Sequence, residues 1–208
     1  MQLLPSPSLL SDDVVVLEPL SLEHVADLWA AASEGRETYA LTSVPASLGA
    51  MCDYVAAHLA DQAGGGSLPF ATRDRGSGRV VGATRYMNIE RWTWPEENPY
   101  RRADGMPDGV EIGSTWLAPS AQRTAINTHA KYLMLGRAFD EWRVRRVTLK
   151  TDERNARSRA GIERLGARLD GVLRAHMPAF DGTVRNTAFY SILASEWPAV
   201  RAKLASRL

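Results

Sequence analysis

The sequence predicts an α/β (α+β) protein in which helices cover both faces of a mixed β-sheet. Three observations lead to this class. Strand-like and amphipathic helical runs both recur along the chain, two pairs of strand-like runs are joined by turns, and two later strands are each followed by a helix. Because strands and helices do not alternate strictly, a doubly wound parallel sheet is not predicted.

Length and composition favour one ordinary globular domain. The 208 residues suffice for one sizeable core, so we expect a single domain over residues 1–208. The 25 basic and 24 acidic side chains nearly balance, which indicates neither a nucleic-acid nor a membrane partner. The chain start lacks a basic segment, and Pro5 and Pro7 interrupt its apolar patches, so we expect no signal peptide.

Cysteine and histidine usage excludes two kinds of site. The single cysteine, Cys52, cannot form an internal disulfide and fits a cytoplasmic location. It falls on a predicted helix, where we expect a buried or half-buried thiol. The four histidines lack the spacing of metal ligands, so no metal site is predicted.

The N-terminal half is expected to contain one strand, two helices and a hairpin. The β-branched run 14–20 predicts the first strand, and Ser21 is a candidate N-cap for the helix after it. A second helix, "SLGAMCDYVAAHLADQA", ends at a glycine run, and two strand-like runs around "RDRGSGR" predict a β-hairpin. Residues 90–109 show no regular pattern and form a loop that is either functional or mobile.

The C-terminal half is expected to contain two strand–loop–helix units and a second hairpin. The first unit joins the strand "VEIGSTWL" to a helix over residues 127–142. The second joins the strand "RRVTLKT" to a short helix that Gly166 closes. The turn Asp181-Gly182 then predicts a hairpin.

The loops of the two units carry the candidate chemistry. In "SAQRTAINTHAK" a helix N-terminus follows a strand, an arrangement that binds anions through backbone N–H groups. Arg123 and Ala125 exclude a glycine loop with positive φ but allow a nest of amides in ordinary helical geometry. Taken alone, this loop is better explained as a simple connection than as an anion site.

In the second unit, Ser158 is predicted to point inward. Ser158, Ile162 and Leu165 share one helical face, which places the serine beside the end of the preceding strand. Asn155 at the helix start can serve the backbone or a ligand. The alternative for both is capping or packing.

Three segments in order, "VEIGSTWLAPSAQRTAINTHAK", "RRVTLKTDERNARSRAGIERLGA" and "GVLRAHMPAFDGTVRNTAFYSIL", resemble the RimJ/RimL-type branch of the GNAT acyl-CoA N-acyltransferases. The resemblance covers about residues 14–197 and is most specific over 110–193. It implies a single GNAT-like domain with a mostly antiparallel, twisted sheet, in which two neighbouring strands splay around the pantetheine arm of acetyl-CoA. It also implies acetyl transfer from acetyl-CoA, without a metal, to a primary amine of a protein N-terminus or small molecule.

The resemblance assigns roles to particular residues. The loop is expected to hold the donor pyrophosphate, Asn155 to contact pantetheine, and Ser158 to lie near the thioester sulfur. A backbone amide between Ile112 and Leu117 would polarise the carbonyl. The expected cofactor-binding residues are Trp116, Leu117, Gln122, Arg123, Thr124, Ala125, Ile126, Asn127, Asn155 and Ser158.

The catalytic candidates are Glu111, as a base acting directly or through water, and Ser158. A surface carboxylate is the alternative for Glu111. His129 stands where many relatives of the family have glutamate, and we expect it to face solvent or pack.

The acceptor is expected beside the loop 90–109. Its Trp92 and Trp94, among several carboxylates, suit a cationic amine, although neighbouring arginines weaken this prediction. A mobile loop or dimer contact is equally consistent, and a homodimer is expected from the resemblance. The alternative function is a non-catalytic acyl-CoA-binding module, whereas nucleic-acid binding is disfavoured because acids are interspersed among the arginines.

Overall fold

Eight strands and five α-helices make up the part of the chain that the computed structural model describes, residues 7–208. The strands are β1 Leu10–Ser11, β2 Val15–Pro19, β3 Ser67–Asp74, β4 Val80–Glu90, β5 Gly109–Leu117, β6 Arg146–Asp152, β7 Arg168–Pro178 and β8 Val184–Leu193. The helices are α1 Val25–Ala32, α2 Leu48–Ala63, α3 Ile126–Gly136, α4 Ala156–Arg164 and α5 Trp197–Ala205. From residue 7 onward, no helix has the length and apolar character needed to cross a membrane. The signal-peptide prediction rests partly on residues 1–6, which lie outside the described residues.

The strands form one mixed sheet in the order β1-β2-β3-β4-β5-β6-β8-β7. All neighbours are antiparallel except β5 and β6, which are parallel. Consecutive residues of a strand point to opposite faces of the sheet. Thr115 contacts α3 and Trp116 contacts α2, so helices cover both faces. The predicted α/β class and the mostly antiparallel sheet are therefore confirmed.

The parallel strands β5 and β6 part after three residue pairs. The pairs are Gly109–Arg146, Val110–Val147 and Glu111–Thr148. Beyond them β5 pairs with β4 alone and β6 pairs with β8 alone. The predicted splayed strand pair is thus confirmed, and it leaves a gap that opens toward α3 and α4.

Two β-bulges, which the sequence analysis did not predict, lie beside this gap. In β5 the register shifts around Ser114, whose φ is 48°. In β4 it shifts between Met87 and Glu90, around Asn88 with φ 47°. Bulges bend a strand and increase its twist. The Ser114 bulge follows the last β5–β6 pair by three residues, where the two strands already diverge.

The predicted strands and helices are present, two further elements were not predicted, and the burial predicted for Cys52 is wrong. Strand β1 and helix α5 were not predicted, although α5 buries Trp197 against Phe139, with ring centroids 5.3 Å apart. The expectation of a buried or half-buried Cys52 is wrong, because the thiol is exposed. It lies on α2 beside Met51 and Val55, which take the buried face of that helix.

A buried lysine supports the sheet beneath the β5 bulge. Lys131 of α3 is 4% exposed, and its Nζ donates to the hydroxyls of Thr84 and Thr115 at 2.8 and 2.6 Å. No carboxylate of residues 7–208 pairs with it. Burial lowers the pKa of Lys131 to about 7.

The loop between β5 and α3 contains a strained residue. Arg123 has φ 62°, in the left-handed region that glycine adopts without penalty, whereas Ala125 has φ −68°. The prediction that Arg123 excludes a positive φ in this loop is therefore wrong, whereas Ala125 keeps helical geometry. A left-handed conformation costs a residue with a Cβ about 1–2 kcal/mol.

We expect Arg123→Gly to raise the free energy of unfolding by up to about 1 kcal/mol, because relief of this strain exceeds the entropy that glycine adds to the unfolded chain. Arg123→Ala, which keeps the Cβ, is the control and should stay within about 0.5 kcal/mol of wild type. Urea denaturation measures both. Equal stability of the two variants would contradict the assignment.

Lys131 should make stability depend on pH. Its folded pKa of about 7 lies below the usual value of 10.5, so between these values the unfolded chain binds a proton that the folded chain does not. Stability should therefore rise with pH across this window, by up to about 1.4 kcal/mol per pH unit from this group. Lys131→Met should remove that slope in denaturation curves from pH 7 to 9.5, while Lys203→Met, at an exposed position, should keep it. Parallel pH profiles for wild type and Lys131→Met would refute this account.

Candidate active site

The gap between β5 and β6 presents two unpaired strand edges. Residues 112–117 are bonded on their other side to β4, and residues 149–152 to β8. Unpaired backbone N–H and C=O groups at a strand edge accept an extended chain through hydrogen bonds. The gap is therefore a slot for a linear ligand that carries amide groups.

The loop at the mouth of this slot presents backbone N–H groups. Within residues 7–208, five of them donate to no other group, namely those of Arg123, Thr124, Ala125, Asn127 and Thr128. They lie at the N-terminus of α3, where the helix dipole adds positive potential. The loop is thus suited to an anion such as a pyrophosphate.

Side chains of the loop hold its shape. The Nε2 of Gln122 donates to the Leu117 carbonyl and to the Thr38 hydroxyl, each at 2.9 Å. The Thr124 hydroxyl donates to the Ala121 carbonyl at 2.7 Å and accepts from the Ile126 N–H at 3.3 Å. Because the Thr124 hydroxyl already makes both bonds within the loop, anion binding there depends mainly on the backbone.

Two cavities flank the loop. One of about 370 Å³ lies against the β3–β4 hairpin, and its lining includes Asp74 and Arg79. The other, of about 280 Å³, lies between α3 and α4, and its lining includes Asn127, Arg164 and Arg207. The second combines two guanidinium groups with an undonated backbone N–H, so of the two it better suits a phosphorylated group.

Asn155 and Ser158 lie at the start of α4, as predicted. The Oδ1 of Asn155 accepts the Ser158 N–H at 3.0 Å and so caps the helix. The Asn155 Nδ2 and the Ser158 Oγ make no hydrogen bond to residues 7–208. Ile162 and Leu165 are buried, as the shared helical face predicted. Asn155 and Ser158 therefore each keep one polar group that is available to a ligand.

Glu111 is a buried carboxylate at the point where the strands part. It is 4% exposed, and its Oε2 accepts from the Asn88 amide at 2.7 Å and lies 3.1 Å from the Lys150 Nζ. Its Oε1 receives no hydrogen bond from the described chain and lies over Gly113, where an added Cβ would meet it at 2.9 Å. The alternative of an exposed surface carboxylate is therefore wrong, and one oxygen remains able to accept a proton.

Neither Asn88 nor Lys150 was predicted as a site residue. Asparagine is disfavoured inside strands and tolerates positive φ, so its position in "YMNIE" was a usable signal for a bulge. Lys150 gave no comparable signal, because an alternating strand pattern does not identify its cross-strand partners.

Helix α2 forms the wall on the other side of β5. The Tyr54 hydroxyl accepts from the Trp116 Nε1 at 3.3 Å, and the Tyr54 ring lies 4.1 Å from that of His58. Burial lowers the pKa of His58 to about 4, and the charge of Arg85 acts in the same direction. The Nε2 of His58 is buried and has no partner in residues 7–208. A neutral imidazole therefore lies in this wall at physiological pH.

The aromatic side chains of the loop 90–109 do not form an empty binding site for a cation. Trp92, Trp94 and Tyr100 surround the Arg145 guanidinium at 5.9, 5.9 and 5.5 Å from their ring centroids. Arg145 also pairs with Asp108 at 3.0 Å. The cation that these aromatic faces bind is thus supplied by the chain itself, and a substrate role for Trp92 and Trp94 stays a prediction.

Two further polar residues, His129 and Tyr190, stabilise the fold. His129 is buried, and its Nδ1 lies 2.8 Å from the Asp12 carboxylate, so it packs and does not face solvent. Tyr190 is fully buried, with its hydroxyl bonded to Arg159 and Glu163 of α4. Among the described residues, no group of three histidine, cysteine or acidic side chains is placed to hold a metal ion.

Comparison with solved structures identifies proteins of the same fold. A GCN5-related N-acetyltransferase from Brucella melitensis is 28% identical over 97% of this chain and 86% of that chain, with a TM-score of 0.81. RimJ from Mycobacterium smegmatis, in complex with CoA-disulfide, is 20% identical over 97% and 95% of the chains, with a TM-score of 0.79. MccE, a microcin C7 self-immunity acetyltransferase in complex with acetyl-CoA and AMP, is 17% identical over 88% and 93%, with a TM-score of 0.69. The last two show the fold alone.

The family assignment rests on a sequence match. A comparison with curated proteins gives no match. A family model described as an acetyltransferase (GNAT) domain matches residues 15–168, well over half of the chain. This protein therefore belongs to the GNAT family of acetyltransferases.

Proposed function

We propose that the protein transfers an acetyl group from acetyl-CoA to a primary amine, either a protein N-terminus or a small molecule. The observation that carries this proposal is the parting of β5 and β6 after Glu111, beside a loop with five undonated backbone N–H groups. The slot and the loop together suit a ligand with an amide-containing arm and a pyrophosphate. Acetyl-CoA has both.

The donor would bind along the α3–α4 side of the sheet. Its pantetheine arm would pair with the open edges of β5, near Trp116 and Leu117, and of β6, with the Asn155 Nδ2 as a further donor. Its pyrophosphate would accept from the loop at residues 122–127. The cavity with Arg164 and Arg207 would receive the phosphorylated nucleotide. The CoA ligands in the RimJ and MccE structures support a donor of this kind.

The chemistry would be direct attack of the amine on the thioester. The C–N bond forms and the C–S bond breaks, while the amine loses a proton and the thiolate departs. The Glu111 Oε1 would accept the amine proton directly or through water. A backbone N–H between Ile112 and Leu117 would stabilise the oxyanion, and the Ser158 hydroxyl would donate a hydrogen bond to the thiolate.

A non-catalytic acyl-CoA-binding module is the alternative function. The ion pair between Glu111 and Lys150 at 3.1 Å favours it, since a purely structural carboxylate would make the same contact. Both functions need the donor site, and they differ in turnover.

Localisation and assembly remain expectations. The cytoplasmic location follows from cysteine usage and the homodimer from the family resemblance. The exposed edge strand β7, with Leu169, Val172 and Leu173 at 48%, 40% and 51% exposure, is a surface on which a second copy would bury apolar area. Likewise, the assignment of the loop 90–109 to the acceptor side is a proposal.

Acetyl-CoA and free CoA should each raise the melting temperature, with stabilisation of about 2.7 kcal/mol at a hundred times Kd. Asn155→Ser keeps a capping oxygen but removes the amide donor, so it should weaken acetyl-CoA binding about five-fold. Ser158→Ala should leave binding nearly unchanged. Thermal-shift titrations with acetyl-CoA, succinyl-CoA and CoA measure these effects, and no stabilisation by any of the three would exclude both functions.

Glu111→Gln should lower kcat/KM by about 10²–10⁴-fold, because the glutamine side chain has nearly the shape of glutamate but cannot accept the amine proton. Acetyl-CoA affinity should be unchanged. Release of CoA thiol with a panel of amines provides the rate, and Glu141→Gln, at a side chain that is 61% exposed, is the control. A rate within three-fold of wild type would remove Glu111 as the base. No release with any amine, despite acetyl-CoA binding, would favour the non-catalytic module.

A further inference from the structure

On the sheet face opposite α4, one cationic side chain has no direct partner. Lys150 pairs with Glu111 at 3.1 Å, and Arg154 pairs with both Asp152 and Asp181 at 2.7 and 2.8 Å. Arg185 of β8 has neither a hydrogen bond nor an ion pair to any group of residues 7–208. The Arg185 guanidinium therefore has no direct anionic partner on this face.

Burial makes this arrangement unfavourable without a ligand. Arg185 is 9% exposed, and its Nε is fully buried without a partner. Burial lowers the pKa of Arg185, and the charges of Asp152 and Glu111 offset this only in part. Buried guanidinium groups in proteins are normally paired, because removing an unpaired charge from water is costly. An anion that reached Arg185 would supply the hydrogen-bond acceptors that this guanidinium lacks.

Strand register places Arg185 on the same face as Glu111. Phe189 lies opposite Lys150 and Thr187 opposite Asp152, and alternation puts Arg185 on their side of β8. Glu111 belongs to this face through its contact with Lys150. Arg185 thus lies farther along the wall that begins at the candidate base.

The anion is not the phosphate group of the donor. Tyr190 points to the other face, where its hydroxyl contacts Arg159 and Glu163 of α4. The loop with undonated amides and the cavity with Arg164 and Arg207 both adjoin α3 and α4. Arg185 therefore faces the side from which an acceptor would approach.

We propose that Arg185 binds an anionic group, a carboxylate or a phosphate, on the amine acceptor, with the amine held toward Glu111. This rests on the proposed acetyltransferase function and narrows its substrate class to amines that also carry a negative charge. Guanidinium matches carboxylate and phosphate geometry with two parallel hydrogen bonds. Because Lys150 is already paired with Glu111, Arg185 is the cation that would distinguish an anionic acceptor from a neutral one.

The test compares acceptors that differ only in the anion. Suitable pairs are amino acids and their carboxamides, peptides with glutamate or glutamine at the second position, and aminoalkyl phosphates and the corresponding amino alcohols. The carboxylate and phosphate pairs distinguish the two anions. Wild type should favour the charged member of at least one pair by ten-fold or more in kcat/KM, measured by CoA release.

Variants assign this preference to the guanidinium. Arg185→Gln should abolish it by raising KM for the charged member, while the neutral member and acetyl-CoA binding stay unchanged. Arg185→Lys should retain part of it, and Arg201→Gln, at a side chain of α5 that is 54% exposed, should retain all of it. The melting temperature of Arg185→Gln should equal or exceed that of wild type, because a buried unpaired charge is removed. A lower melting temperature with an unchanged preference would mark Arg185 as structural and overturn the proposal.

Binding without turnover separates this inference from the proposed function. Calorimetry with CoA present measures the affinity for the charged acceptor in wild type and in Arg185→Gln. Turnover of amines without any charge preference would overturn the role of Arg185 and leave the acetyltransferase function intact. Binding of the charged amine that Arg185→Gln abolishes, in a protein without turnover, would support the role of Arg185 and reject catalysis.

Discussion

The parting of β5 and β6 after the Glu111–Thr148 pair is the constraint on which the candidate site depends. Backbone hydrogen bonding is satisfied on the outer side of each strand by β4 and β8, so the sheet remains continuous while its inner edges stay open. The bulge at Ser114 is held from both faces, since Arg85 donates to the Ser114 hydroxyl at 3.1 Å and Lys131 donates to Thr115 at 2.6 Å. The slot is thus built into the framework and does not require a mobile lid.

The two faces of the parted strands differ in electrostatic character. On the α3–α4 side, the loop and the cavity between the helices present backbone N–H groups and arginines, which suits a polyanionic donor. On the opposite side, Glu111, Lys150 and Arg185 form a mixed set in which one carboxylate oxygen and one guanidinium lack partners in residues 7–208. A reaction between a phosphorylated donor and a small charged amine fits this separation, because each ligand meets complementary charge on its own face.

The loop before α3 presents undonated backbone N–H groups although it contains no glycine. Arg123 adopts the left-handed conformation that glycine would adopt freely, and the strain is local because the side chain is exposed. Gln122 and Thr124 secure the loop on either side through bonds to Leu117 and Ala121. The backbone amides, and not the side chains of Gln122 and Thr124, are therefore the groups that this loop leaves available to a ligand.

Local sequence patterns by themselves determined the element order from β2 to β8, the two hairpins, and the placement of Asn155 and Ser158 at a helix start. Capping residues, turn dipeptides and periodicity act over a few neighbours, so they are readable from the chain. The order of motifs also identified the family and hence the expectation of a splayed strand pair. Only the tertiary structure decided that Lys150 and Asn88 meet Glu111, that Arg145 fills the faces of Trp92 and Trp94, and that Arg185 is buried without a partner. These contacts join residues distant in sequence, and they depend on strand register and bulges, which local propensity does not fix.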